Sequence, residues 1–209
     1  TVGVLLRGFQ TTNLVLTNNV VSDCQNHGVV VDQQCGALYG SVALVEGNTI
    51  TKTKTNAGLL VGNSAHPLIQ RNTICQNAAG GIMVLADAPS TIRANYVYNN
   101  EDYGVFVAPS SDEAAFAAEP ASTTTQDQKH LQIISNLIST NSNIGLSISC
   151  RSQPYVVRNI ICNTTKPSGK VATPVSGAGV SMSGFSSGRL VSNIVVGNQG
   201  HGVMLAGCG

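Results

Sequence analysis

The sequence predicts an all-β solenoid, in which the chain winds through about seven stacked rungs of short parallel strands after a partial N-terminal rung. Three observations predict it: an Asn and a Gly recur at a fixed distance, apolar residues recur around them, and uninserted repeats are 23 residues long. Helical periodicity is absent, and the repeat is shorter than a propeller blade of roughly 40 to 45 residues. A parallel β-solenoid with loop insertions therefore remains.

The repeat is clearest in RNTICQNAAGGIMV, residues 71–84, where an Asn is followed nine residues later by a Gly. Two further repeats carry extra residues between the Asn and the Gly, from Asn48 to Gly58 and from Asn159 to Gly179. Gly3 opens the partial rung. The strict copies run from Asn19 to Gly28, Asn72 to Gly81, Asn95 to Gly104, Asn136 to Gly145 and Asn193 to Gly202.

Apolar residues occupy four fixed positions in every repeat. They stand three residues before the Asn, two after it, and one and three after the Gly, as Ile92, Val97, Val105 and Val107 do in one repeat. Alternation of this kind places one face of each short strand inside. These four positions therefore predict the core.

The recurrent Asn and Gly have mechanical explanations. Asn tolerates left-handed turn conformations, and its amide can bond to the equivalent amide one repeat away, which predicts an Asn ladder at a corner. Gly allows the tight corner that follows. We expect residues 1–209 to form one such domain, cut from a longer protein, with insertions near 108–130 and 163–178.

The short motif Asn-x-Ile/Val-x-x-Asn occurs as NTICQN (72–77), NYVYNN (95–100), NLISTN (136–141) and NIVVGN (193–198). On these motifs the chain resembles the right-handed parallel β-helix superfamily, in particular short-repeat members such as the NosD proteins and the β-helices of F-box ubiquitin-ligase receptors. The stretch SAHPLIQRNTICQNAAGGIMV looks most like the F-box group. The resemblance implies a single-stranded right-handed β-helix, and it suggests the substrate-binding part of a ubiquitin-ligase-like protein.

A carbohydrate-active enzyme, either a polysaccharide hydrolase or a lyase, is the alternative. His201 stands in a Gly-His-Gly, which pectin hydrolases of this superfamily combine with two acidic motifs, Asn-Thr-Asp and Asp-Asp, and with a basic Arg-Ile-Lys, because glycoside hydrolysis needs two carboxylates. The sequence lacks those acidic motifs, so we interpret His201 as a residue at a regular repeat position and predict no catalytic residue. Tyr96, Tyr98 and Tyr103 form a local group that strand and turn packing explains.

Composition and cysteines narrow the function further. A net charge of +1 with 10% charged residues favours neither nucleic acid nor a membrane as partner. The six cysteines form no C-x-x-C pair, so we expect packing thiols, no metal site and no cofactor. This favours a cytoplasmic location, with secretion as the alternative.

The positive functional signal is a column of apolar residues expected to point outward between the two inward positions after each Gly. It predicts a surface for a protein partner, with carbohydrate as an alternative ligand, unless the Ala-rich 108–130 insertion covers it through Phe116. A third hypothesis is self-association through the open end rungs. The predicted surface comprises Val30, Leu60, Met83, Phe106 and Met204.

Overall fold

The described residues of the computed structural model form 22 β-strands and no helix. The described ranges are 1–8, 13–32, 43–62, 65–85, 88–108, 130–149, 152–168, 173–184, 186 and 188–207.

The strands form three parallel sheets that run the length of the stack. Sheet A has eight strands, in the order β1 (Val4–Arg7), β4 (Val29–Asp32), β7 (Leu59–Val61), β10 (Gly80–Leu85), β13 (Tyr103–Ala108), β16 (Ile144–Ile148), β19 (Ala178–Ser183) and β22 (Val203–Ala206). Sheet B has seven, in the order β2 (Leu14–Thr17), β5 (Ala43–Glu46), β8 (Leu68–Gln70), β11 (Thr91–Arg93), β14 (Gln132–Ile134), β17 (Tyr155–Val157) and β20 (Arg189–Val191). Sheet C has β3 (Val20–Ser22), β6 (Thr49–Thr51), β9 (Thr73–Cys75), β12 (Tyr96–Tyr98), β15 (Leu137–Ser139), β18 (Ile160–Cys162) and β21 (Ile194–Val196).

Each strand pairs in parallel with the strand three places later in the chain. Three consecutive strands, one from each sheet, therefore make one coil. Coil 1 is β1–β3, coil 7 is β19–β21, and β22 begins an eighth coil. The parallel β-solenoid predicted from the repeats is confirmed. The predicted 163–178 insertion starts after β18 and ends at the first residue of β19, Ala178. Residues 169–172 of that insertion, and residues 109–129 with Phe116, lie outside the described residues.

The core consists of the predicted inward columns. In one repeat Ile92, Val97, Val105 and Val107 are fully buried, and the same four positions are filled by buried Val, Ile, Leu or Met through the middle of the stack. Leu205 occupies one of these positions in the last strand and is 65% exposed, because the described coils cover it on one side only.

The predicted Asn ladder is present at the corner between sheets B and C. Backbone N and Nδ2 of each ladder Asn donate to Oδ1 of the next, as Asn72 does to Asn95 at 3.0 Å. A second ladder, from Asn77 through Asn100 to Asn141, lines the next corner with Nδ2–Oδ1 distances of 2.9 Å. Both ladders satisfy buried amides that the turns would otherwise leave without partners.

The prediction that the ladder Asn itself adopts the left-handed conformation is wrong. A positive φ is found at the residue before each ladder Asn, for example 54° at Arg71 and 52° at Ala94. The ladder Asn itself is not among the residues with positive φ. Its side chain fixes the corner, and the preceding residue adopts the left-handed conformation that the corner needs.

The recurrent Gly also has a different role from the expected one. No positive φ is found at Gly104 or Gly145, but a Cβ on Gly145 would lie 2.6 Å from the carbonyl oxygen of Gly179 in the next coil. Gly is therefore required by the close approach of successive coils rather than by a tight corner.

The next corner of the coil also contains a residue with a left-handed backbone conformation. In coil 5 this residue is Thr140, and its replacement is expected to stabilise the protein. The exposed Thr140 has φ of 52°, which is unfavourable for a β-branched residue, whereas the same position holds Asn99 and Gly197 in other coils. We expect Thr140→Asn to raise the free energy of unfolding by about 1 kcal/mol, measured by urea denaturation. Thr140→Val keeps the β-branch and is the control. Equal stability of the two variants would contradict the prediction.

Candidate protein-binding surface

The outward column predicted on sheet A is formed in register. Val30 pairs with Leu60, Leu60 with Met83 and Met83 with Phe106. Leu60, Met83, Phe106 and Met204 are half-buried on the outer side of the sheet. We call Leu60, Met83 and Phe106 the sheet A stripe.

Two members of the predicted surface do not join that stripe. Val30 is only 8% exposed, so little of its side chain is available to a partner. Met204 is separated from Phe106 by Ser147 and Ser181, both buried on the same column. The expected five-residue surface is therefore reduced to three consecutive residues.

An aromatic pair extends the sheet A stripe. The rings of Tyr103 and Phe106 stack with centroids 4.6 Å apart. Gly80 pairs with Tyr103 in sheet A, where a Cβ would lie 3.1 Å from the Tyr103 carbonyl oxygen. Burial raises the pKa of Tyr103, and the nearby carboxylate of Asp102 adds to the effect. Tyr103 is therefore an uncharged, partly apolar neighbour of the stripe at neutral pH.

The three tyrosines expected to form one group are divided between two sheets. Tyr96 and Tyr98 stack on each other in sheet C with centroids 4.2 Å apart, and Tyr103 belongs to sheet A. The expectation of a single local group is wrong, because Tyr96 and Tyr103 stand on either side of a coil corner.

A larger exposed apolar surface, which the sequence analysis missed, lies in the C-terminal coils. It follows the corner between sheets B and C over coils 5 to 7, and its outward residues alternate with fully buried core residues such as Val156 and Ile161. Ile160 is 41% exposed and Ile194 is 56% exposed. We call this surface the C-terminal face; its residues are Ile134, Val157 and Val191 of sheet B and Leu137, Ile160 and Ile194 of sheet C.

The charges of the chain are divided along the stack. Residues 1–127 contain all ten Asp and Glu residues, whereas residues 128–209 contain none and hold six of the eleven Lys and Arg residues. The net charge of the whole chain conceals this division. Each ion pair among the described residues is in the acidic part: Arg7 with Asp32, Lys54 with Asp23 and Arg71 with Glu46.

His201 lies in the part of the chain that has no carboxylate. Its side chain is exposed, and its backbone carbonyl accepts a hydrogen bond from Gly179 at 2.9 Å. His27 holds the same repeat position in coil 2, where its Nδ1 donates to the Ala57 carbonyl at 3.2 Å and burial lowers its pKa. Glycoside hydrolysis requires two carboxylates at one bond, and residues 128–209 supply none.

Within the described ranges, no three His, Cys, Asp or Glu side chains are grouped closely enough to hold a metal ion. Cys24, Cys75 and Cys162 are free thiols, and Cys75 is buried on sheet C. The other three cysteines lie outside the described residues. The described part of the chain also contains no helix long and apolar enough to cross a membrane.

Three stacked parallel sheets around one apolar core define a parallel β-helix. The chain belongs to the right-handed β-helix family, whose model, described as "Right handed beta helix region", matches residues 2–117. No curated protein and no solved structure matches the chain. The NosD and F-box subtypes therefore stay expectations from the repeat motif.

Proposed function

We propose that this β-helix is a non-catalytic module that recognises or scaffolds another protein. The observation that supports this proposal most is the sheet A stripe, in which Leu60, Met83 and Phe106 stand side by side outside the core. Strand stacking at about 4.8 Å makes such a column continuous. The three side chains are half-buried, and a contiguous apolar column that is partly open to solvent is typical of interaction sites.

A more specific proposal is that the module is the substrate-binding part of a ubiquitin-ligase-like protein in the cytoplasm. It is supported by the resemblance of residues 64–84 to the F-box group and by the free thiols of Cys24, Cys75 and Cys162. The carbohydrate-active alternative has less support, because the last coils contain His201 but no carboxylate.

The test compares proteins retained from a cell extract by the immobilised chain and by the double variant Met83→Asp, Phe106→Asp. Charges in the middle of an apolar contact should lower retention of a specific partner at least about tenfold, which corresponds to about 1.4 kcal/mol. Gln132→Asp, at an exposed site on sheet B, is the matched control and should retain the partner.

Two results would count against the proposal. One is that the double variant, with an unchanged melting temperature, retains the same proteins as the unmodified chain. The other is that the chain releases reducing ends from a polysaccharide, which would support the enzyme alternative.

A further inference from the structure

We propose that the C-terminal face binds an acidic protein segment in which apolar side chains flank a carboxylate. This inference rests on the proposed function, protein recognition, but it concerns a different face of the β-helix and a defined partner chemistry.

The geometry of the face combines six apolar side chains with one central cation. Arg158 stands at the corner of coil 6, between Val157 of sheet B and Ile160 of sheet C. The same corner carries Ser135 in the coil before and Ser192 in the coil after, and all three corner residues are exposed. Arg158 is therefore the single charged residue in the middle of a three-coil apolar surface.

The repeat contains an internal example of how an arginine at this corner is neutralised. Arg71 occupies the same position in coil 3, and its guanidinium donates to Oε1 of Glu46, in the preceding coil, at 2.8 Å. The position that Glu46 fills is occupied by Ile134 in the coil before Arg158. The corner arginine is retained in coil 6, but the acid that pairs with it in coil 3 is replaced by an apolar residue.

The rest of the C-terminal half offers Arg158 no acid either, since residues 128–209 contain no Asp or Glu. Arg189 is exposed in sheet B beside Tyr155 and extends the positive charge along the same side. An arginine binds a carboxylate through two parallel hydrogen bonds, and this interaction strengthens when apolar contacts exclude water around it. Charge complementarity therefore favours an acidic partner with apolar neighbours.

The area of the face sets the expected strength. A stable protein interface contains about 20 to 30 residues on each partner, whereas this face has six apolar residues and Arg158. We expect micromolar to millimolar binding of a short segment, weakened by salt because Arg158 is exposed.

The test uses the whole chain and fluorescein-labelled 12-residue peptides, measured by fluorescence anisotropy at low and moderate salt. The probe is three repeats of Leu-Glu-Ser-Gly; the controls replace Glu by Lys, or Leu by Ser. We expect the Leu-Glu peptide to bind with Kd below about 1 mM and both controls to bind at least tenfold more weakly, about 1.4 kcal/mol.

Four variants locate the binding. Arg158→Glu and Ile160→Asp should each weaken the Leu-Glu peptide at least tenfold, whereas Arg71→Gln should leave it unchanged. Ile134→Glu restores the acid that Glu46 supplies to Arg71, and it should weaken binding as much as Arg158→Glu; Ile134→Gln should weaken it less. Circular dichroism melts establish that each variant is folded.

The inference is wrong if the Leu-Glu peptide does not bind, if the Leu-Lys peptide binds equally, or if Arg158→Glu has no effect. Tighter binding of a 12-nucleotide single-stranded DNA, with the same dependence on Arg158, would also overturn it in favour of a nucleic acid. The sheet A stripe shares no residue with this face. If the peptide test fails but the double variant Met83→Asp, Phe106→Asp loses its partner, the inference about the C-terminal face is wrong and the proposed function still holds.

Discussion

Replacing Asn95 with alanine should lower the free energy of unfolding by about 3 to 5 kcal/mol. Asn95 is 2% exposed, and its Oδ1 accepts from backbone N and Nδ2 of Asn72, both at 3.0 Å. Its Nδ2 donates to the Ile69 carbonyl and to Oδ1 of Asn136, again at 3.0 Å. Alanine removes four hydrogen bonds and leaves buried donors of Asn72 without an acceptor.

Two further variants separate the ladder from simple loss of side-chain volume. Asn95→Asp keeps the shape of the side chain but places an oxygen, which cannot donate, opposite the Ile69 carbonyl and Oδ1 of Asn136. It should lower the free energy of unfolding at least as much as Asn95→Ala does. Asn193→Ala, at the end of the ladder, is the comparison variant, because Asn193 is only partly buried and makes three of these hydrogen bonds, to Asn159 and the Val156 carbonyl, instead of four, so its loss of stability should be smaller. Urea denaturation gives the three values. An equal loss for Asn95→Ala and Asn193→Ala would contradict a cooperative ladder.

The core was predictable because a β-helix repeats one environment along one axis. Every position equivalent to Ile92 or Val97 faces the same interior, so a single register accounts for all seven repeats. The backbone of the corners was not predictable in the same way. Arg71, Ala94 and Ser135 share a left-handed conformation but no side-chain chemistry. The ladder Asn that follows each of these residues imposes that conformation. The identity of the residue before the Asn therefore does not indicate it.

The candidate surfaces were only partly predictable. The sheet A stripe follows from the alternation of inward and outward residues after each Gly. The burial of Val30 depends on what packs against the outer side of its strand, and the alternation does not indicate that. The C-terminal face could have been found from the position after each ladder Asn, where Leu137, Ile160 and Ile194 follow one another in successive repeats. Its charge could have been found by counting acids by region, because a net charge of +1 averages an acidic and a basic part.

The second large effect is expected for Gly145→Ala, which should lower the free energy of unfolding by about 3 kcal/mol. A Cβ on Gly145 would lie 2.6 Å from the Gly179 carbonyl oxygen and 2.7 Å from Cγ2 of Ile161. The backbone of coil 7 cannot move away from this Cβ without breaking the sheet A hydrogen bonds between the coils. Because each coil contacts only its neighbours, separation at this point should also divide the stack into two less cooperative parts.

Gly202→Ala is the matched control for this prediction, since it makes the same change at the same repeat position. A Cβ on Gly202 would approach only Cγ1 of Val195, at 3.9 Å, an ordinary contact. Neither glycine has a positive φ, so the two variants differ in packing and not in backbone conformation. Thermal and urea unfolding should show a broad, lowered transition for Gly145→Ala and an unchanged one for Gly202→Ala. Equal loss in both variants would mean that the recurrent Gly serves the backbone of its own coil, and that close approach of the next coil does not explain it.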